Sequence, residues 1–340
     1  MKLVVNKAAV LGAGVMGAQI AAHLANANVP VVLFDLPAKE GDKNGIVKKA
    51  LDGLKRMQPS PLVTRDKLQY IDAANYEEHL ELLSGCDLII EAIAERMDWK
   101  NDLYEKIAPF LASTATIASN TSGLSINALA EALPAALRPN FCGIHFFNPP
   151  RYMPLVEIIA TRSTDPATLD GLETWLTSRL GKGVVRAFDT PNFIANRLGI
   201  FSLLAVMHHA SAFGLGADTV DGLTGPKIGR PKSATYRTGD VVGLDTLAHV
   251  VKTMRDTLPS DPWHAYFNVP AWLDGLIAKG ALGQKTKGGI FRKQGKAIQV
   301  FDPASGDYRD SDDSLAPEVD AMLKMSDPAA RLSALRTSHH

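Results

Sequence analysis

The chain has only two cysteines in 340 residues, Cys86 and Cys142, at unrelated positions. So few thiols leave no basis for a disulfide framework or a metal site, and they fit reduced core residues. Neither sign of charge is in excess, since Lys plus Arg and Asp plus Glu stand at 36 each. That balance removes the usual electrostatic reason to expect nucleic acid or an anionic membrane surface as a partner. No uncharged apolar run reaches the roughly 18 residues a membrane-spanning helix needs. The apolar part of MKLVVNKAAVLG is too short for a signal peptide, so a cytoplasmic protein is expected. Internal repeats are absent too. What the chain does have is length, and 340 residues predict two domains with separate cores.

From residue 7 the pattern is strand, glycine-rich turn, helix, strand: AAVLGAGVMG, AQIAAHLANAN, VPVVLFD. Met16, Ile20, Ala21, Leu24 and Ala27 recur at helical spacing. Val31-Val32-Leu33-Phe34 is instead a continuous apolar run, suited to a parallel strand covered on both faces. Further strands are expected at 87–93, 115–119, 141–146 and 155–160, with helical segments between several of them. This alternation predicts an α/β domain over 1–190, a Rossmann-like doubly wound sheet. Gly12, Gly14 and Gly17 form a G-x-G-x-x-G turn after a strand and opening a helix, with Val15 and Met16 inside it. The spacing leaves helix N-terminal N–H groups aimed at a pyrophosphate. Asp35 ends the second strand, where a carboxylate accepts hydrogen bonds from an adenosine ribose and repels a 2′-phosphate. The combination points to NAD rather than NADP.

After Gly181-Lys182-Gly183 and a short strand at 184–187 the grammar changes. Asp189-Thr190-Pro191 reads as a helix start, with a long apolar helix over 193–213. Helical periodicity continues, giving a mostly α-helical domain over 191–291. The last segment, 292–340, is polar and broken by Pro303, Gly306 and Pro317, and reads as a tail or linker.

The stretch HFFNPPRYMPLVEI, 145–158, sets an acid inside an apolar run. A buried carboxylate requires a partner, and His145 is the candidate for Glu157. Two strands side by side bring them together, and a carboxylate on one imidazole nitrogen fixes the tautomer of a general base. Glu95, Ser122, His145 and Asn148 also fall at the carboxyl ends of expected strands, where doubly wound proteins bind ligands.

With these residues in place, the chain resembles the L-3-hydroxyacyl-CoA dehydrogenase family over residues 6 to about 291. GAGVMG, EAIAE, SNTSG, HFFNPP, LVEI, DTPNFIANR and GQKTKGG occur in family order. The resemblance implies an NAD-dependent oxidoreductase that interconverts (S)-3-hydroxyacyl-CoA and 3-ketoacyl-CoA in fatty-acid β-oxidation. It assigns His145 as general base, Glu157 as its orienting carboxylate, and Ser122 and Asn196 as donors to the substrate oxygen. It places Glu95 and Lys100 near the nicotinamide ribose, Asn148 at the nicotinamide end and Lys285 near the cofactor. Lys48, Lys49, Lys55 and Arg56 stand where CoA phosphates are met, with Lys48 and Lys55 the substrate contacts; a solvated helix face explains these charges equally well. A homodimer through the helical domain is implied.

Two departures stand out. The stretch GRPKSATYRTGDVVGLD, 229–245, replaces a proline- and glycine-containing family segment. The polar end from Arg292 is longer than in stand-alone members and resembles the connecting segment of a fused bacterial subfamily. The chain is therefore expected to be the N-terminal part of a bifunctional polypeptide whose enoyl-CoA hydratase-like region follows. Two other readings compete, a dehydrogenase of a free hydroxyacid and a non-catalytic NAD-binding protein.

Overall fold

Parallel strands bury both faces, and the apolar runs of the N-terminal half meet that requirement. The computed structural model describes residues 3–312 and 314–339. It divides the chain into two units, Met1–Ile194 and Ala195–His340. In the first, β1 (Ala8–Leu11), β2 (Val31–Asp35), β3 (Ile71–Asn75), β4 (Leu88–Glu91), β5 (Thr116–Ser119), β6 (Phe141–Phe146), β7 (Leu155–Ala160) and β8 (Gly183–Ala187) share one sheet. Their order is β3-β2-β1-β4-β5-β6-β7-β8. The strands from β1 to β6 pair in parallel, β7 runs antiparallel to β6, and β8 is parallel to β7.

The helices of this unit are α1 (Val15–Asn26), α2 (Gly45–Leu54), α3 (Met97–Ile107), α4 (Ile126–Ala130) and α5 (Pro166–Leu180). Alternate residues of β1 serve opposite faces. Ala8 and Val10 pack with Ile20 and Leu24 of α1 and Leu172 and Leu176 of α5. Ala9 and Leu11 pack with Tyr104 and Ile107 of α3 and Ile126 and Leu129 of α4. The strand order reverses its direction of growth between β1 and β4, and the carboxyl ends there form the crevice such sheets use for ligands. Both cysteines are buried, and burial pushes the Cys86 thiol up to about 11 and the Cys142 thiol to about 12.

The second unit contains α6 (Ala195–Ala212), α7 (Ala217–Leu223), α8 (Tyr236–Val242), α9 (Leu244–Thr257) and α10 (Ala271–Ala278). Asp189-Thr190-Pro191 does not open α6. Asn192 and Phe193 hold φ of 61° and 48°, which no helix continues, so α6 begins at Ala195. The Asp189 carboxylate caps α4 instead, accepting the N–H groups of Ile126 and Asn127 at 2.9 Å each.

The segment 292–340 is not a tail. Strands β9 (Phe291–Gln294), β10 (Ala297–Asp302) and β11 (Asp307–Asp310) form an antiparallel sheet, followed by α11 (Pro317–Leu323) and α12 (Pro328–Thr337). Val300 and Phe301 are buried in one core with Leu244, Leu247, Val251 and Ile290. Buried Asp218 accepts both Arg309 amino groups, at 2.7 and 2.8 Å, and the Asp312 N–H at 2.7 Å. The glycines that resemble chain breaks, Gly295 and Gly306, are hairpin turns with positive φ.

Two outcomes follow from these packings. Phe301→Ala should lower the unfolding free energy by about 3 kcal/mol in a denaturant titration, the usual cost of emptying an aromatic core position. An unmoved midpoint would restore the tail. The second concerns His23, whose two buried ring nitrogens find no partner among the described residues. Burial first, then the charges of Lys182 and Arg151, push it down from 6.5 to about 4. The fold thus favours neutral His23, so stability is complete above pH 6.5 and falls by roughly 3 kcal/mol as pH drops to about 4. His23→Leu should remove that share of the acid loss, read by urea titrations at about pH 7 and pH 4.5, whereas an unchanged acid loss would assign it to other groups.

Candidate active site

A histidine near the end of one strand and a glutamate near the start of an antiparallel neighbour meet only if register places them opposite each other. His145 of β6 and Glu157 of β7 are direct partners in the ladder. Their side chains therefore leave the same face of the sheet. His145 Nδ1 lies 2.7 Å from Glu157 Oε2, with 3% and 1% of the two residues exposed. The acceptor on Nδ1 sets the tautomer, leaving Nε2 as the basic nitrogen. Nε2 makes no hydrogen bond among the described residues. Glu157 Oε1 accepts the Ile194 N–H at 2.9 Å. Phe147 and Phe193 flank the imidazole, with centroids at 4.4 and 5.6 Å.

The turn after β5 carries Ser122, which is exposed. Glu95 Oε1 accepts from Thr121 Oγ1 at 2.5 Å, Ser122 N at 2.8 Å and Gly123 N at 3.0 Å. Glu95 thus shapes the serine turn, a role its position in EAIAE does not disclose. Lys100 differs from expectation. It is fully buried, bonded to Glu91 at 2.6 Å, with Glu95 at 3.8 Å, so its ammonium supports the edge from beneath.

Glu91, the last residue of β4, was missed by the sequence reading. It also accepts Tyr104 Oη at 3.0 Å and Ser119 Oγ at 2.7 Å. Burial, and then the Glu91 charge, hold the Tyr104 phenol well above its ordinary value, so it remains a neutral donor. The available signal was a carboxylate closing the apolar run LIIE. Asn120 was missed as well, and its Oδ1 accepts the Phe146 N–H at 2.9 Å, tying the β5 end to the β6 end.

The glycine turn follows β1. Gly12 has φ of 104°, and a Cβ there would lie 2.8 Å from the Ala92 carbonyl oxygen. A Cβ at Gly17 would lie 1.8 Å from the Gly12 carbonyl oxygen, so only glycine lets α1 close on the turn. At Gly14 a Cβ would meet nothing within 4 Å, which leaves the loop open to an incoming group. The N-terminus of α1, with Val15 and Met16 in its first turn, has no side-chain cap. Asp35 Oδ2 accepts the Ala13 N–H at 2.6 Å and Oδ1 that of Leu36 at 2.7 Å. Asn148 Oδ1 accepts Gln19 Nε2 at 3.1 Å, linking the loop after β6 to α1.

Other expected residues are not brought to this edge. Lys48 pairs with Asp42, and Lys55 with Asp52 at 2.6 Å, in exposed ion pairs that offset the basic patch on α2. Lys285 lies in the second unit and is engaged there by both Asp245 oxygens, at 2.6 and 2.7 Å. Asn196 stands in the first turn of α6, also in the second unit. Among the described residues no group of three His, Cys, Asp or Glu side chains is arranged to hold a metal ion.

Comparison with known proteins gives this geometry its context. Residues 7–190 match the family described as 3-hydroxyacyl-CoA dehydrogenase, NAD binding domain, and residues 193–293 match its C-terminal domain. A probable 3-hydroxyacyl-CoA dehydrogenase of Deinococcus radiodurans is 40% identical over 291 residues, covering 85% of this chain and 83% of that protein. One of the same description from Bacillus subtilis is 39% identical over 346 residues, 97% of this chain. The chain spans only 44% of the Bacillus protein's length. Among solved structures, the (S)-3-hydroxybutyryl-CoA dehydrogenase of Ralstonia eutropha superimposes with a TM-score of 0.70 at 26% identity, over 84% of this chain and 98% of that one. The first unit is an NAD-binding domain of Rossmann-like architecture, NAD is the cofactor, and the chain belongs to the 3-hydroxyacyl-CoA dehydrogenase family.

Proposed function

We propose that the chain interconverts (S)-3-hydroxyacyl-CoA and 3-ketoacyl-CoA with NAD and NADH, as a step of fatty-acid β-oxidation. The observation that carries the reading is the buried pair His145–Glu157, at 2.7 Å on the ligand-binding edge of an NAD-binding sheet. In the oxidative direction His145 Nε2 takes the proton of the 3-hydroxyl. Glu157 holds the charge and orientation of the imidazolium so formed. In the reductive direction the same nitrogen returns the proton to the ketone oxygen. The Ser122 hydroxyl, on the turn that Glu95 shapes, donates to the reacting oxygen and stabilises its developing charge. For Asn196 the same role is supported by its match to the family motif DTPNFIANR.

The chemistry that NAD supplies when bound is hydride acceptance at the nicotinamide. Gly12, Gly14 and Gly17, with the first-turn N–H groups of Val15 and Met16, would hold its pyrophosphate, and Asp35 its adenosine ribose. The open side of Gly14 and the uncapped N-terminus of α1 fit that group. Glu95 and Asn148 would meet its nicotinamide end.

Acyl-CoA as substrate, a second copy of the chain as partner and a fused hydratase-like region belong to the same reading. The length of the Bacillus relative beyond the matched portion supports the last of these. A cytoplasmic location belongs to it too. Among the described residues no helix is long and apolar enough to cross a membrane.

The test is NADH oxidation, followed by absorbance, with acetoacetyl-CoA and separately with free acetoacetate. The chain should consume NADH with the thioester and not with the free acid. His145→Ala should reduce kcat/KM for the thioester on the order of 10²- to 10⁴-fold. Turnover of the free acid would move the substrate to a hydroxyacid, and a fully active variant would remove His145 from the chemistry.

A further inference from the structure

The turn between Pro191 and α6 touches the His–Glu pair at two points. Asn192 and Phe193 both hold left-handed backbone conformations, with φ of 61° and 48°. Bulky L-residues rarely enter that region, and such conformations persist only where their surroundings over-determine them. Here the surroundings are specific. The Phe193 side chain is buried in the core that contains Ile126, Leu129 and Ile159, and its ring lies 5.6 Å from that of His145. The next residue, Ile194, donates its N–H to Glu157 Oε1 at 2.9 Å, while Oε2 of the same carboxylate faces His145. Upstream, Asp189 fixes the start of the turn through bonds to Ser125 Oγ and the Ile126 and Asn127 N–H groups, at 2.8, 2.9 and 2.9 Å. Asn192 is buried, and its Nδ2 has no acceptor among the described residues, so its side-chain bonding does not account for the conformation.

We infer that the left-handed turn Asn192–Phe193 is a positioning device for the general base: it aims the Ile194 N–H at Glu157 and so fixes the carboxylate that orients His145. The inference deepens the dehydrogenase reading and rests on it. A carboxylate held at one oxygen by a backbone donor keeps its other oxygen on the imidazole while the ring gains and loses a proton. A right-handed or extended conformation at Phe193 would turn the Ile194 N–H away. Glu157 would then be free to rotate off His145, as in a variant with no carboxylate there.

The test compares Phe193→Gly, Phe193→Val and Ile194→Pro with Glu157→Gln in the full chain. It measures kcat and KM for acetoacetyl-CoA as a function of pH, the NMR titration of the His145 ring without substrate, and Tm. Glycine adopts positive φ freely, so Phe193→Gly should keep kcat within about threefold and leave the pH profile in place. Valine resists positive φ, so Phe193→Val should lose at least about tenfold in kcat, with KM within about twofold. The pH limb that reports the His145 proton should move the same way as in Glu157→Gln. Proline has no N–H, and Ile194→Pro should behave as Phe193→Val does. If the proline variant does not fold, the glycine and valine pair gives the answer alone.

Equal impairment of glycine and valine would assign the effect to the ring and overturn the inference. So would a valine variant of lowered Tm whose kcat and pH profile match the parent. The NMR titration separates this inference from the reaction itself. If the parent chain turns over no thioester, yet the His145 titration still moves in the valine variant and not in the glycine one, the turn positions the pair and the dehydrogenase reading fails. A titration that stays in place in the valine variant overturns the positioning role.

Discussion

A carboxylate sealed in an apolar sheet face is tolerated only with partners for its oxygens, and Glu157 meets this with His145 on one oxygen and the Ile194 N–H on the other. The fold is arranged around that requirement. Strand β7 runs against β6 whereas β1 to β6 are parallel, and only the antiparallel pairing sets residue 157 directly opposite residue 145. A register slip of one position would turn every side chain of β7 to the other face and leave both groups buried and alone. Strand β8 covers the outer side of β7 in parallel register, so Glu157 lies inside the sheet rather than on its edge.

A second buried network braces the same edge. Glu91 gathers Lys100, Tyr104 and Ser119, and Glu95 extends the bracing to the turn that carries Ser122. Polar networks in a low-dielectric interior are rigid when every member is satisfied. This one joins the end of β4, the body of α3 and the end of β5. The serine turn is a loop, but it is held by charge-assisted bonds to regular elements beneath it. That is how a flexible residue type becomes a fixed donor.

Much of the α/β unit is legible along the chain because its signals are local. Strand runs, the glycine turn and Asp35 each depend on neighbours within a few residues, and 141–146 and 155–160 coincide with the observed β6 and β7. The errors share a cause, which is that the deciding partner is remote in sequence. Asp189 has the grammar of a helix cap and does cap a helix, but α4, 63 positions upstream at Ile126, in place of the one that follows it. The segment 292–340 is polar on average, yet its apolar residues Val300 and Phe301 find a core that begins before residue 250. The charges of Lys100 and Lys285 read as ligand-directed, whereas Glu91 and Asp245 engage them.

The sequence by itself determined the doubly wound sheet, the dinucleotide turn and the candidacy of His145 and Glu157, because periodicity and glycine spacing are properties of adjacent residues. The tertiary structure alone decided which charges face outward and which are consumed inside. It made Glu91 a hub, turned Lys100 inward, set Glu95 under the serine turn and brought Ile194 to Glu157. Hydrogen bonds of 2.5 to 3.0 Å are set by the packing of elements that lie far apart in the chain. No local pattern of residues records that packing.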